Sequence, residues 1–425
     1  MNHIDADKVH IVDEPLDAIN VIRERSLRGQ VYDESFYICN ISDILNKHRI
    51  WKQYMPRVIP YYAVKCNDSP IVIETLALMG IGFDCASRGE ISNVMSYGVD
   101  GKSIIYASPT KPIAHLKFAA AMNVTVMTVD SDSELQKIRA HYPKANLLLR
   151  IRCDAKVSLS PLGDKYGCCP DTEAEHLIEL AKSMDLNIVG ISFHVGSGCQ
   201  DPPAYSKAIH ASRKLFDFAE NLGFHFNILD IGGGFPGDNN TNIKLIATII
   251  NDSLDLHFAS SNVTFIAEPG RFYVASAYTL ACQVHSIREI RQNGQLDSMM
   301  YYVNDGVYGS FNCNLTDHKA IYPLTLKGDN EKMFRSTIWG PTCDALDRVC
   351  ENISMPRLDI DDFIIFENMG AYTLPMATNF NGFALPNVEY FIERKHLDEI
   401  NIEVLNRWKS QIKIGSCGKK SAGRA

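Results

Sequence analysis

From about residue 57 the chain alternates between short β-branched or aromatic runs and amphipathic stretches whose apolar residues recur every three or four positions. Eight runs of the first kind stand out: RVIPYYAVK (57–65), GFDCAS (82–87), SIIYAS (103–108), VTVMTVD (124–130), NLLLRIRC (146–153), NIVGISFHVG (187–196), HFNILDIGGG (225–234) and VTFIAEPG (263–270). Between them lie SPIVIETLALMG, PIAHLKFAAAMN, SDSELQKIRAHYP and TEAEHLIELAKSMD, which the spacing predicts as helices, with Ser, Thr or Asp near their starts as caps. Eight strand and helix units between residues 57 and 270 are the number that builds an α/β fold of the (β/α)8 TIM-like barrel type. A doubly wound open sheet satisfies the same pattern, because alternation does not report closure.

After EPGR the texture changes to long strand-like runs, AYTLACQVHSIREI, SMMYYVND, RSTIWG and DFIIFENMGAYT, with no strong helical spacing until FIERKHLDEINIEVLNRWKSQ. This predicts a mostly β second domain. The N-terminal segment ends in the strand candidate SFYIC and is expected to join it, which places the barrel at 40–277 and the β domain at 1–39 and 278–425. The small, basic tail IGSCGKKSAGRA is expected to lack fixed structure.

Composition narrows the function classes. With 425 residues, 46% hydrophobic and 22% charged, the chain has room for two cores. A net charge of −8 gives no electrostatic reason for a nucleic-acid partner and mildly favours a cationic ligand. No apolar run is long enough to cross a bilayer, and MNHIDADKVHIVDEP lacks the basic start and apolar stretch of a signal peptide, so a cytoplasmic location without membrane association is expected. Twelve cysteines scatter without a C-x-x-C framework, which predicts free thiols; the adjacent Cys168 and Cys169 have poor spacing for a metal, and none is expected.

Polar residues fall at one end of the eight strands. Lys65, Asp84, Arg150, His194, the glycines 232–234 and Glu268 each stand at or just past the C-terminal end of a different strand, the end where a barrel builds its chemistry. Each alone reads as a cap or a solvated strand end; six on one rim do not. The run DIGGGFPG exposes backbone N–H groups that can approach a phosphate, and Arg271 in EPGR adds a positive charge. No Walker lysine and no G-x-G-x-x-G helix opening follows, which argues against nucleotide folds.

A phosphate-bearing cofactor that needs a lysine is pyridoxal phosphate, whose aldehyde condenses with an amine. Lys65 is the candidate, and partial burial at a strand end is expected to depress its pKa. Glu268 is placed to keep the pyridine nitrogen protonated. His194 reads equally as a ring that stacks on the cofactor and as a satisfied strand histidine. In the second domain WGPTCDALDR puts Cys343 in a Gly-Pro turn beside Asp344 and near Asp347; the carboxylates read either as turn caps or as partners of an ammonium group, and the thiol as a proton donor.

The motifs YYAVKCN, FDCASRGEI, SFHVGSG, DIGGGFPG, EPGRFYV, WGPTCDALD and ENMGAYT, in this order, resemble the eukaryotic ornithine decarboxylases, within the barrel-type pyridoxal phosphate decarboxylases of basic amino acids. The likeness runs from about residue 33 to about 400. It implies decarboxylation of L-ornithine to putrescine and carbon dioxide, the first step of polyamine synthesis. By resemblance Lys65 carries pyridoxal 5'-phosphate, Glu268 pairs with its ring nitrogen, His194 stacks on the ring, and Asp84 and Arg150 line the pocket. Ser197, Gly233, Gly234, Arg271 and Tyr372 match phosphate-binding positions. Asp317 and Asp344 match the acids for the distal ammonium, Phe380 packs near the site, and Cys343 protonates Cα after carbon dioxide leaves.

The resemblance further implies a homodimer with shared active sites, to which Cys343 and Asp344 reach across and in which Lys165 and Asp347 pair across the interface. Three departures stand out: Ala345 where the family has glycine, expected to restrict the cysteine loop, an altered KVSLSPLGDKYG loop, and Pro375 after ENMGAYT. The vertebrate members' degradation-promoting tail has no match here, so slower turnover in the cell is expected. One rival is a catalytically inactive, antizyme-binding decoy of the antizyme-inhibitor kind; such relatives lose counterparts of Asp84 and Tyr372, which this chain keeps. Another is a decarboxylase preferring lysine, since one methylene supports only about 1 to 3 kcal/mol of discrimination.

Overall fold

In the computed structural model, the described residues are 9–29, 31–153, 155–159, 162–259, 262–317, 320–328, 331–400 and 404. Seventeen strands are present among them. Two precede the barrel, β1 (Val9–Val12) and β2 (Phe36–Asn40). The barrel holds β3 (Val58–Ala63), β4 (Gly82–Cys85), β5 (Ile104–Tyr106), β6 (Val126–Val129), β7 (Asn146–Ile151), β8 (Asn187–Phe193), β9 (Ile228–Asp230) and β10 (Thr264–Ala267). After it come β11 (Tyr278–Gln292), β12 (Gln295–Val303), β13 (Leu324–Thr325), β14 (Met333–Trp339), β15 (Arg348–Pro356), β16 (Phe363–Phe366) and β17 (Asn387–Glu393).

Strands β3 to β10 pair in parallel and close, β10 returning to β3 through Phe265 opposite Val58, so the open-sheet alternative falls away. The helix Ala174–Ser183 buries the stripe its spacing predicts, whereas Pro70–Leu78 is buried all round from Ile71 to Leu76. In Ala174–Ser183 the buried residues are Ala174, Leu177, Ile178 and Ala181, one face of a 3.6-residue period. Burying a leucine or isoleucine side chain is worth roughly 1.5 to 3 kcal/mol. Packing, not capping, holds the four helices singled out above. Their N-cap residues Ser69, Pro112, Ser131 and Glu173 make no side-chain cap hydrogen bond, contrary to expectation.

Inside the barrel Ile105, Leu148, Val189 and Ile266 pack with half-buried Tyr61, Val126 and Ile228. Side chains two apart on a strand share a face. Two positions beyond Leu148, Ile228 and Ile266 come Arg150, Asp230 and Glu268, so the apolar layer gives way to charge at the C-terminal mouth. Trp51, buried on the helix Ile41–Tyr54, packs against the barrel. Its indole N–H donates to the Val58 carbonyl at 2.8 Å, and its ring lies 4.9 Å from Phe235 and 5.5 Å from Phe272, the residues following the triple glycine and Arg271.

Among the described residues the other strands form one nine-stranded sheet in the order β1-β17-β2-β11-β12-β14-β15, with β16 beside β11 and β13 beside β16. The N-terminal segment does join this sheet: β2 runs antiparallel to β11 and parallel to β17. The helix expected from Phe391 is not formed there. Phe391–Glu393 end strand β17 and Arg394–Glu399 make a 3-10 turn, because pairing with β1 and β2 outweighs a short helical spacing. The remainder of that stretch, apart from Ile400 and Val404, and the tail lie outside the described residues. All described cysteines are free thiols, no metal-binding cluster occurs among the described residues, and none of their helices is long and apolar enough to cross a membrane.

Candidate active site

Of the strand-end residues, Lys65, His194, Gly234 and Glu268 line one cavity at the C-terminal mouth of the barrel, and Asp84 and Arg150 are not among its lining residues. It is lined by Lys65, His194, Ser197, Gly234, Glu268, Arg271 and Tyr372, with Phe235 among the remaining wall residues. Lys65 sits in a single 3-10 turn, Val64–Cys66, after β3. Opposite the strand's last residue, Ala63, stands Asp84, whose buried carboxylate accepts a hydrogen bond from the Lys65 ammonium. This corrects the expected charge state. Burial alone would lower the Lys65 pKa, but Asp84, then Tyr372 and Glu268, raise it above the ordinary lysine value.

His194 follows β8, and its Nδ1 accepts the Gly196 N–H at 3.0 Å, which leaves Nε2 to carry the proton of the neutral ring. Burial, with the charges of Arg150 and Lys65, holds its pKa well below the ordinary value. Glu268 is buried beyond β10, and burial together with Asp230 and Asp84 raises its pKa well above the carboxylate range. Asp230 is itself raised by burial. Sequence reasoning missed Asp230. Its signal was available, a carboxylate ending a barrel strand as Asp84 and Glu268 do, but the adjoining glycines drew the reading past it.

The glycine run forms a cradle. A Cβ at Gly233 would lie 2.7 Å from His194 Nε2, and one at Gly234, whose φ is +104°, would lie 2.7 Å from the Gly196 carbonyl. The Gly233 carbonyl accepts from the Tyr205 hydroxyl at 2.9 Å. Across the cavity the Arg271 Nη2 donates to Ser197 Oγ at 3.2 Å and to Asp317 Oδ2 at 2.5 Å, while its buried Nε and Nη1 have no protein acceptor. Tyr372 holds a left-handed backbone, φ +56°, which is uncommon for a bulky residue; its N–H donates to the Cys66 carbonyl at 2.9 Å and its ring lies 5.2 Å from the Arg271 guanidinium carbon.

These groups fit pyridoxal phosphate. Two guanidinium nitrogens without a protein acceptor beside side-chain-free backbone suit a phosphate, a buried carboxyl suits a pyridine nitrogen, and an amine closes the other end. Arg150 is buried, with its guanidinium carbon 5.3 Å from the Tyr166 ring; exposed Lys165 approaches the same ring at 5.1 Å.

Cys343, Asp344 and Phe380 are not among the residues lining the cavity. Cys343 is exposed on the β domain and its N–H donates to Asn381 Oδ1 at 3.0 Å; Asp344 accepts from the Tyr308 hydroxyl at 2.8 Å; Phe380 is 42% exposed. Asp347, in contrast, is only 1% exposed and accepts from Val307 N–H, Thr342 N–H and Thr342 Oγ1 within its own chain, a role the resemblance did not imply.

Residues 41–275 match the family described as "Pyridoxal-dependent decarboxylase, pyridoxal binding domain". The chain is 45% identical to mouse ornithine decarboxylase over 91% of its own length and 87% of the mouse protein, and 42% identical to antizyme inhibitor 2 of Xenopus laevis over 92% and 88%. Among solved structures, the arginine decarboxylase of Paramecium bursaria Chlorella virus, bound to agmatine, superposes with a TM-score of 0.83 at 36% identity, over 88% of this chain and all of that one. A closed barrel whose mouth gathers a lysine, a buried carboxyl pair and an unsatisfied arginine, with likeness along nine-tenths of the chain, places it in the family of pyridoxal-dependent decarboxylases.

Proposed function

We propose that this chain decarboxylates L-ornithine to putrescine and carbon dioxide with pyridoxal 5'-phosphate, in the cytoplasm, as a homodimer whose active sites are shared. The observation that carries the reading is the single cavity that Lys65 shares with Glu268, His194 and Arg271. When bound, pyridoxal phosphate supplies an aldehyde that captures amines and a ring that draws electrons from them.

The chain's own groups divide the remaining work. Lys65 provides the amine, and Asp84 takes its proton's hydrogen bond and orients it. Glu268, whose pKa burial and Asp230 raise, is poised to hold a proton at the ring nitrogen. Neutral His194 offers an uncharged face for stacking. Arg271, Ser197 and the glycine backbone hold phosphate, with Tyr372 across the guanidinium.

Asp317 and Asp344 bind the substrate's distal ammonium, Phe380 covers it, and Cys343 delivers a proton to Cα. The exposure of Cys343 and Phe380 on a face apart from the cavity supports completion of the site by a second copy. Lys165 is proposed to meet the loop carrying Asp347 across that contact. Identity to an antizyme inhibitor makes antizyme a second partner to test, while intact Lys65, Asp84 and Tyr372 favour an enzyme.

Carbon dioxide release from carboxyl-labelled ornithine tests the reading, with Lys65→Ala as control and lysine as second substrate. Release from ornithine that disappears in the control supports it, with slower release from lysine expected. No release from either substrate by a folded, cofactor-loaded protein would overturn it and direct attention to antizyme binding.

A further inference from the structure

The surface around Cys343 holds an aromatic residue to which the reading above gives no role. Tyr308, half-buried beyond β12, donates its hydroxyl to Asp344 Oδ2 at 2.8 Å. Its ring centroid lies 4.5 Å from that of Phe380, and its carbonyl accepts from Thr378 N–H at 2.8 Å and Thr378 Oγ1 at 3.1 Å. Asn381, in the same turn, receives the Cys343 N–H. One tyrosine thus ties Asp344 to the segment that steadies the cysteine loop.

Two buried carboxylates fix the backbone on either side of it. Asp305 accepts from Ser35 Oγ at 2.8 Å, Gly306 N–H at 2.8 Å, Ser310 N–H at 2.9 Å and Ser310 Oγ at 2.5 Å. Asp347 binds Val307 N–H at 2.8 Å and Thr342 N–H at 2.9 Å, so it joins the tyrosine segment to the cysteine loop. A Cβ at Gly306 or Gly340 would stand 2.0 or 2.2 Å from the Asp347 Oδ1, which explains glycine at both.

Asp344 is therefore held at both oxygens, with Leu346 N–H donating to Oδ1 at 2.9 Å and Tyr308 to Oδ2. A carboxylate so pinned keeps lone pairs for an ammonium group but cannot swing to follow it. We propose that Tyr308 is a positioning residue that fixes Asp344 for the distal ammonium of a basic amino acid and so sharpens the choice between side chains differing by a methylene. The inference rests on the reading of Asp344 as a substrate residue. Length alone discriminates weakly; an immobile acceptor turns a length difference into a misplaced charge.

The Tyr308→Phe variant keeps the ring and removes the hydroxyl. With ornithine, KM should rise about fivefold, kcat should fall far less, and the ratio of kcat/KM for ornithine over lysine should drop. In an Asp344→Ala background the same substitution should change nothing further, because its target is gone. A parent-like substrate ratio in Tyr308→Phe, or effects that add in the double variant, would overturn the role of Tyr308 alone. Parent-like KM in Asp344→Ala would overturn both this inference and the reading beneath it. Sedimentation of each variant separates these outcomes from loss of assembly.

Discussion

Asp84 accepts a hydrogen bond from the Lys65 ammonium across the ends of two neighbouring barrel strands. The carboxylate keeps the amine charged in the cofactor-free chain, so the nucleophile is stored protonated. Replacing Asp84 by alanine removes the principal force holding the pKa up and leaves burial, which lowers it. The pH midpoint for forming the coloured adduct with added pyridoxal phosphate should then move down by about one unit or more, read by absorbance. An unmoved midpoint would mean that Glu268 and Tyr372 suffice to hold the charge.

Arg271 and Asp317 make the second pairing of consequence. Here the guanidinium proposed for phosphate and the carboxylate proposed for substrate meet at 2.5 Å, both largely buried. Asp317 therefore competes with any anion at Arg271. In Asp317→Asn the affinity for inorganic phosphate should rise several-fold while that for ornithine falls roughly tenfold, as loss of a charge-assisted hydrogen bond predicts. Isothermal titration of the cofactor-free protein with phosphate measures the first effect. Weaker phosphate binding would show that the carboxylate orients the arginine instead of competing for it.

Acid sensitivity has a source away from the site. Glu389 on β17 receives Arg25 Nη2 at 2.6 Å and lies 3.4 Å from His10 Nε2. Burial would raise its pKa, but His10 and Arg25 outweigh burial and lower it from 4.5 to about 2. A folded-state value below the unfolded one stabilises the fold above pH 4.5, and that contribution is lost as pH falls through about 2. Glu389→Gln should be less stable than the parent by about 1 to 3 kcal/mol at neutral pH, with the gap closing in acid. Urea unfolding at several pH values checks this, and a gap independent of pH would assign the loss to packing.

Legibility followed the range of the interaction. Lys65, His194 and Glu268 could be placed on one rim because period-two strands and amphipathic helices are local patterns, and a repeated pattern of eight fixes which end faces the cavity. The charge of Lys65 was misread because its sign depends on Asp84, which is brought opposite only when β3 pairs with β4. The contact of Arg271 with Asp317 and the burial of Asp347 likewise join segments whose proximity no spacing reports. Strand β17 was obscured for the same reason, its partners lying near the other end of the chain.

That last pairing bears on how the protein is made. Phe36 lies opposite both Ala281 and Asn387, so the strand carrying it must wait for most of the chain to leave the ribosome before either edge is satisfied. The barrel's last strand ends at Ala267, and closure needs nothing synthesised after it. A nascent chain should thus present a closed barrel beside an unpaired hydrophobic strand, FYIC, until β11 emerges, and that strand keeps its second edge open until β17 has followed. Chaperone dependence would be greatest in that interval, and it would be the sheet, with its sequence-distant partners, that sets the rate of maturation.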